Sequence, residues 1–409
     1  MTTRAALTLL GSGIASIMLA TTAQAGGFNR GVANLDPLYN TGGFAAYSSF
    51  TYVAPARTFT NISGVGVVGG TPTPYTQGDI DVVNDFVVPS LSIGGRIAGD
   101  LSCAGSYTQP YGVDATYDGP IRFSIAEQKL ETQEYGLTCG YGFDVGKGRL
   151  SMIGGVFYEK VQFGQARDFA QAFGIPVPSR IAVESEDVGY RIGVGYEIPE
   201  IALRAQLMYR SETHHDATGS YSSTPFAILA AAGGLPLQQA LALYGNATSA
   251  SASTSATLPQ NVEFTLQSGI APGWLAFGSV KWTDWSVLER LEVVEGIAGQ
   301  TFSSTNFYFN DGWTITGGLG HKLNENLGAS LSLTWDKGVT SGWDTLTDTW
   351  TIAGGVSYDA TENFQIRAGG AAIYFTEGEK DKVSSPIDYV ASSPNEWGYA
   401  LSLSGTLRF

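Results

Sequence analysis

Residues 397–409 read WGYALSLSGTLRF, and the alternation in this stretch decides the fold. Its odd positions are Trp397, Tyr399, Leu401, Leu403, Gly405, Leu407 and Phe409; its even positions are Gly398, Ala400, Ser402, Ser404, Thr406 and Arg408. One face is apolar and the other is small or polar, which is the period of a β-strand. An aromatic at each end of the apolar face suits a strand that crosses a lipid slab, because amphipathic rings sit at both interfaces. A strand of a soluble sandwich can carry the same pattern, so the rest of the chain has to decide.

The pattern recurs. About fourteen alternating segments run from Phe44 to Phe409, their ends uncertain by a few residues. Leu150, Met152, Gly154, Val156 and Tyr158 share one side of a segment, as do Val188, Tyr190, Ile192, Val194 and Tyr196, and Leu327, Ala329, Leu331, Leu333 and Trp335. Arg191, Ser330, Ser332, Thr334 and Asp336 fall on the opposite faces. Lipid outside and a polar lumen inside require that arrangement. An even strand number closes the sheet without leaving an edge in lipid. Short Gly-, Pro-, Asn- and Asp-bearing turns at 143–149, 198–201, 322–325 and 359–363 alternate with long connections at 56–85, 110–126, 164–184, 214–257, 289–305, 337–348 and 377–396. The short turns belong in the periplasm and the long ones outside the cell.

Composition agrees. Charged residues make up 14% of the 409 residues, well below the roughly 25% of soluble domains, while Gly (53), Tyr (20), Phe (20) and Trp (8) are plentiful. Residues 1–25 carry Arg4, an apolar run from Ala5 to Ala20, and the small-x-small stretch Ala23-Gln24-Ala25, which reads as a secretory signal with a mature start at Gly26. Loss of Arg4 moves the formal charge from −15 to −16. No later run is apolar enough for a transmembrane helix. The acidic balance argues against nucleic acid. Residues 26–43 lack alternation and carry Asn, Asp, Pro and Gly, so they read as a segment that folds back into the lumen as a plug; the alternative is a tail in the periplasm. The organisation expected is a signal at 1–25, a plug at 26–43 and an all-β transmembrane antiparallel barrel at 44–409.

Candidate sites follow from the same geometry. Cys103 and Cys139, the only cysteines, share outward parity across a hairpin centred near Ile121, and a cross-strand disulfide is expected in an oxidising compartment. Arg191, Arg204, Arg210 and Lys281 point into the lumen, with Glu263 and Asp284 as available partners, so an ordinary ion-pair network competes with any role on a ligand. Two long connections are unusually apolar: Phe169, Phe173 and Ile175 lie in one; Phe226, Leu235 and Leu237 lie in the other. Exposed apolar loops usually bind something, although two such loops can also cap one another. Arg167 and Arg180 flank the first and are the candidates to meet a carboxylate head group. His214, His215 and Asp216 lack the spacing of a metal site or a hydrolase dyad and read as surface-loop residues. No catalytic constellation, metal site or cofactor-binding motif is found, and no enzyme activity is expected.

Several motifs together resemble the outer-membrane long-chain fatty-acid and hydrocarbon transporter family, the FadL, TodX and OmpP1 type. They are Gly26-Gly27-Phe28, the stretch Tyr107 to Gly112, Tyr209-Arg210-Ser211-Glu212, Leu258-Pro259, Lys281-Trp282-Thr283-Asp284-Trp285-Ser286 and Asn310-Asp311-Gly312-Trp313. The terminal Phe409 resembles the aromatic read by the barrel-assembly machinery of such proteins. The resemblance implies a fourteen-stranded barrel with an N-terminal hatch, an extracellular hydrophobic groove, a lumen pocket, and a lateral opening where the third strand bends inward. Gly105, Pro110 and Gly112 mark that strand here. Asn34-Leu35-Asp36-Pro37 stands where the family has Asn-Pro-Ala, and Trp335-Asp336-Lys337-Gly338 where it has Asp-x-Ser-Pro, in a shortened hatch. The resulting expectation is a monomer of the cell outer membrane that takes up hydrophobic small molecules, long-chain fatty acids above all, by passive diffusion. Its surroundings would be outer-membrane lipid and lipopolysaccharide. A porin for other solutes and a surface adhesin are the alternatives.

Overall fold

A computed structural model describes residues 26–40, 43–68, 71–168, 178–223, 226–232, 235–385 and 388–409. The expected signal at 1–25 lies outside them. Fourteen antiparallel strands form one closed barrel. They are β1 (Phe44–Ala54), β2 (Phe86–Ala98), β3 (Leu101–Thr108, resumed as Gly112–Thr116), β4 (Glu127–Val145), β5 (Gly148–Asp168), β6 (Pro178–Ile198) and β7 (Leu203–Arg210 and Thr213–Ser223). After them come β8 (Ser249–Leu258 and Asn261–Ala271), β9 (Trp274–Thr283 and Arg290–Glu295), β10 (Thr301–Asn306 and Gly312–Lys322), β11 (Leu327–Asp336), β12 (Thr349–Asp359), β13 (Phe364–Phe375) and β14 (Glu396–Arg408). The ring closes where β14 pairs with β1, from Ala45↔Arg408 to Ala54↔Tyr399.

The alternation of β14 is realised residue by residue: Trp397 is 61% exposed and Leu403 58%, whereas Ala400 between them is 1% exposed. An outer ring of tyrosines marks one lipid boundary, with Tyr107–Tyr135, Tyr135–Tyr158 and Tyr190–Tyr209 in contact. Phe143, Trp274, Tyr358 and Phe409 are exposed at the other ends of their strands.

Several strands run further than the alternation foretold. β5 and β6 are each 21 residues long, about 70 Å, against an apolar band of about 25 Å. Residues 164–168, 178–184, 214–223 and 249–257 therefore continue the wall beyond the lipid-facing band, where the sequence reading had placed loops. The reason is physical: above the lipid the outward face meets water, so Lys160, Gln162 and Glu184 replace apolar residues and the greasy face disappears while the ladder continues. On the same side, Thr58–Val68, Thr71–Gln77, Gly378–Lys380 and Tyr389–Ser393 form a small sheet, and the connection after β7 folds as α1 (Phe226–Ala232) and α2 (Leu237–Tyr244).

The N-terminal segment lies inside the barrel. Phe28 is caged edge-on by Trp285 (5.7 Å between ring centres), Phe307 (5.7 Å) and Phe309 (5.5 Å). Gly27 adopts φ 69°, and a Cβ there would stand 2.4 Å from the Trp285 ring, so only glycine lets Phe28 into the cage. Farther along, Leu38 packs with Ala104 and Ile153, and Tyr39 Oη donates to Gln206 Oε1 (2.9 Å). A disulfide joins Cys103 to Cys139 where β3 and β4 are directly opposed.

Candidate functional site

Phe28 divides the interior in two. Above it lies a cavity of about 390 Å³ that Phe28 itself lines, with Phe307, Phe309, Tyr117, Arg167 and Asp344 among its walls. Below lies a more polar cavity of about 330 Å³, lined by Asn29, Gly31, Arg191, Arg204, Arg210 and Lys281 among others.

In the lower cavity the cations are held. Arg191 pairs with Glu134, and Arg210 bridges Glu134 (3.0 Å) and Glu159 (2.9 Å). Arg204 pairs with Asp36 of the N-terminal segment (3.0 Å) and with Glu197 (3.1 Å). Lys281 is buried opposite Glu263 on the neighbouring strand. All four lumen cations point inward. Glu263 faces Lys281, Asp284 is taken by Gln260 and Ser286 instead, and the arginines are paired by Glu134, Glu159, Glu197 and Asp36.

His215 also belongs to this network. It is 2% exposed, with Nε2 3.5 Å from Glu159 and Nδ1 3.3 Å from Ser185 Oγ. Residues 213–223 are strand rather than loop, so adjacent histidines face opposite ways: His214 is at the surface as read, and His215 is not.

In the upper cavity the cation Arg167 has no such partner. It ends β5, above the lipid-facing band. One terminal nitrogen donates to Ser303 Oγ (3.2 Å), which itself donates to Gln165 Oε1 (2.7 Å). Its Nε is buried and has no acceptor among the described residues. No carboxylate there lies within ion-pair distance of Arg167, and the neighbouring residues 169–177 contain neither Asp nor Glu. Burial pulls its pKa below the ordinary guanidinium value. Across the cavity, Asp344 Oδ1 accepts from the Leu346 amide (2.6 Å), while Oδ2 is buried without a partner among the described residues. Burial pushes this carboxyl up to about 6. Arg57, by contrast, is held by the Thr376 carbonyl (3.0 Å), the Thr345 carbonyl and Thr347 Oγ1 (2.9 Å).

The other sequence-derived candidates separate. Phe169, Phe173 and Ile175 lie outside the described residues. Phe226 is fully buried, stacked on Tyr221 (5.0 Å) and edge-on to Tyr244 (6.1 Å), so it anchors α1 rather than offering a surface. Leu235 packs partly against the same cluster, and Leu237 is exposed. Arg180 points to the outside of the wall and pairs with Glu127 (3.0 Å), because it is one residue out of phase with the inward-facing Ser179.

The third strand is interrupted at Pro110. β2 and β3 pair from Ala98↔Leu101, through a register shift between Arg96 and Ala98, to Ser90↔Thr108, and the two chain segments meet again at the isolated bridge Val83↔Ala115. Among the described residues no rung joins 85–89 to 109–113. The turned-in residues pair with the N-terminal segment instead: Arg30 N donates to Pro110 O (2.8 Å), Gly31 N to Gln109 O (2.9 Å) and Gly112 N to Phe28 O (2.8 Å). Tyr111 is clamped by Thr132, whose Oγ1 accepts from its amide (2.8 Å) and donates to its carbonyl (2.7 Å). Gly105 lies in the unbroken part of the ladder, between Ile93 and Leu137, and so outside the interruption that Pro110 and Gly112 make.

A closed β-barrel with a lipid-facing wall and an occupied lumen is an outer-membrane protein, and the partition at Phe28 makes it an obstructed channel rather than an open pore. A family model described as outer membrane protein transport protein (OMPP1/FadL/TodX) matches residues 45–378, and the chain belongs to that family. It is an outer-membrane transport protein and not an enzyme. A long-chain fatty acid transport protein of Salmonella typhi is 31% identical over 146 residues, a match that spans 32% of this chain and 32% of that protein. The crystal structure of a Pseudomonas aeruginosa FadL homologue shares the fold with a TM-score of 0.75 at 17% identity, covering 90% of both chains. The toluene transporter TbuX of Ralstonia pickettii gives 0.57 at 14% identity, covering 91% of this chain and 92% of that one.

Proposed function

We propose that the protein carries hydrophobic small molecules, most specifically long-chain fatty acids, from the cell exterior into the outer membrane by passive diffusion. The ligand enters the upper cavity, displaces Phe28, and leaves sideways through the interruption between β2 and β3. The observation that carries this reading is Arg167, a half-buried cation whose Nε is fully buried and which has no carboxylate partner among the described residues, in the wall of a cavity lined by aromatic rings. Burying an unpaired charge is costly, and a ligand carboxylate would offset that cost with charge-assisted hydrogen bonds. The tail supplies the larger share: at ~0.8 kcal/mol per CH₂, a sixteen-carbon chain gains on the order of 10 kcal/mol before ordering costs.

The printed function of the Salmonella typhi relative supports the fatty-acid reading. A second reading, monoaromatic hydrocarbons, is favoured by the same rings, Phe28, Phe307 and Phe309, and by the likeness to a toluene transporter. The two part at Arg167, which a neutral hydrocarbon leaves unpaired. An open porin would need an unobstructed lumen, and an adhesin no lumen site at all.

We further read the chain as a monomer in contact with outer-membrane lipid and lipopolysaccharide, inserted by the barrel-assembly machinery. Its first 25 residues are then the removed signal and 26–43 the plug. The deciding experiment is titration of the detergent-extracted protein with palmitate and with toluene, alongside mass spectrometry of what co-purifies. Palmitate should bind at least tenfold more tightly than toluene in the wild type, and Arg167→Ala should weaken palmitate by about 1.5–3 kcal/mol while leaving toluene unchanged. Equal affinities for the two in the wild type would overturn the fatty-acid reading.

A further inference from the structure

We infer that Arg30, the only cation between residues 26 and 43, is the bolt of the opening between β2 and β3, and that a ligand carboxylate draws it. This rests on the lateral route proposed above and names the residue that makes that route selective.

The gap in the ladder is five residues tall on each strand, 85–89 and 109–113, or about 16 Å of wall at strand rise. Pro89, which has no N–H to offer, sits on the open edge of β2. Something has to fill such a gap at the lipid boundary, and the Arg30 side chain stands against it. It is 7% exposed, and its guanidinium carbon lies 3.9 Å from the centre of the Phe86 ring of β2. On the other flank it lies against the backbone of Gly112 of β3, where an added Cβ would come within 2.6 Å of Nε. One side chain thus touches both strands that fail to pair. Its own backbone is held to Pro110, so opening the gap requires the side chain, and not the segment, to move. The charges of Asp114 and Glu131 act on it from the outer end of β3 and from β4.

A ligand shifts an equilibrium only by binding one state better than the other. A carboxylate reaching the gap offers the guanidinium a bidentate partner in place of the Phe86 face. That moves the bolt and uncovers the gap. A neutral molecule of the same length offers nothing to the cation, and the bolt stays. The gap lies just above the Tyr107–Tyr135 pair at the lipid boundary, which is where a leaving fatty acid would keep its head group while its tail enters the hydrocarbon.

The test compares uptake of oleate and oleyl alcohol by cells that depend on this protein for both. The wild type should favour oleate, and Arg30→Gln should lower the oleate to oleyl alcohol ratio at least fivefold by admitting the alcohol. Arg30→Lys should keep most of the preference. Should Arg30→Gln fail to reach the membrane, Gly112→Ala, which pushes the same guanidinium aside, carries the same expectation. A folded Arg30→Gln protein with the wild-type ratio would overturn the proposal while leaving the route intact. The route has its own control: Val87→Cys with Gln109→Cys, bridged by a bifunctional thiol reagent, should stop uptake of both probes. Unchanged uptake after bridging would remove the lateral route, and the bolt with it.

Discussion

Below Phe28, Arg191, Arg204 and Arg210 are matched by carboxylates; above it, the hydrogen-bond acceptor that Arg167 finds among the described residues is a serine hydroxyl. The two regions share a barrel, a residue type and a degree of burial, and differ in whether the protein supplies the counter-charge. Where it does, the cations tie strands and the N-terminal segment together, and the cavity is filled with structure. Where it does not, a place is left for an anion from outside. Buried arginine in a lumen is therefore not one signal but two, told apart by its partners.

That contrast can be broken at four points. Glu134 holds both Arg191 and Arg210, so Glu134→Ala strands two buried cations. It should cost about 3–5 kcal/mol, read as a lower urea midpoint for unfolding in detergent. A midpoint unchanged from wild type would mean that the lower network is ornament. Phe28→Ala removes the partition itself; truncating a caged aromatic costs roughly 3 kcal/mol of local order, and ion conductance in planar bilayers should rise from near zero as the two cavities merge. Wild-type conductance in that variant would show that the obstruction lies elsewhere.

Arg167→Ala should leave unfolding nearly unchanged, since no ion pair is lost, yet weaken palmitate binding by about 1.5–3 kcal/mol, the worth of a hydrogen bond to a charged group; toluene affinity should not move. The smallest effect belongs to Asp344. Because its carboxyl is pushed up to about 6, its contribution to stability is present in full below its unfolded value and is lost as pH rises through about 6. The urea midpoint for unfolding should therefore be higher at pH 5 than at pH 7.5, with matching protection factors for amides other than Leu346, whose own bond to the carboxylate strengthens on ionisation, and Asp344→Asn should abolish the difference. A pH-independent protection factor in the wild type would contradict the assignment.

The wall was readable because lipid and lumen impose opposite demands on successive residues, as the exposure of Trp397, Tyr399 and Leu401 against Ala400 shows. The four lumen cations were readable for the same reason. Glu263 was named and does face Lys281, but other partners were not readable: Glu159 reaches Arg210 from 51 residues away and Asp36 reaches Arg204 from 168, distances over which no local pattern runs. His215 was misread because the strand carrying it continues into water, where alternation no longer separates apolar from polar. Phe226 was misread because apolar loop residues look alike in sequence whether they line a groove or pin a helix. Arg30 left one faint trace, a lone cation two residues after Phe28 in a segment expected to enter the lumen.

The sequence by itself determined a two-faced wall, because it follows from the period of a strand and the phases on its two sides. Which cation goes unmatched, which rungs of the ladder are missing and which side chain stands in their place were decided only when the ring closed. Those are facts about neighbours brought together by registry across fourteen strands, and a chain read one residue after another does not contain its own neighbours.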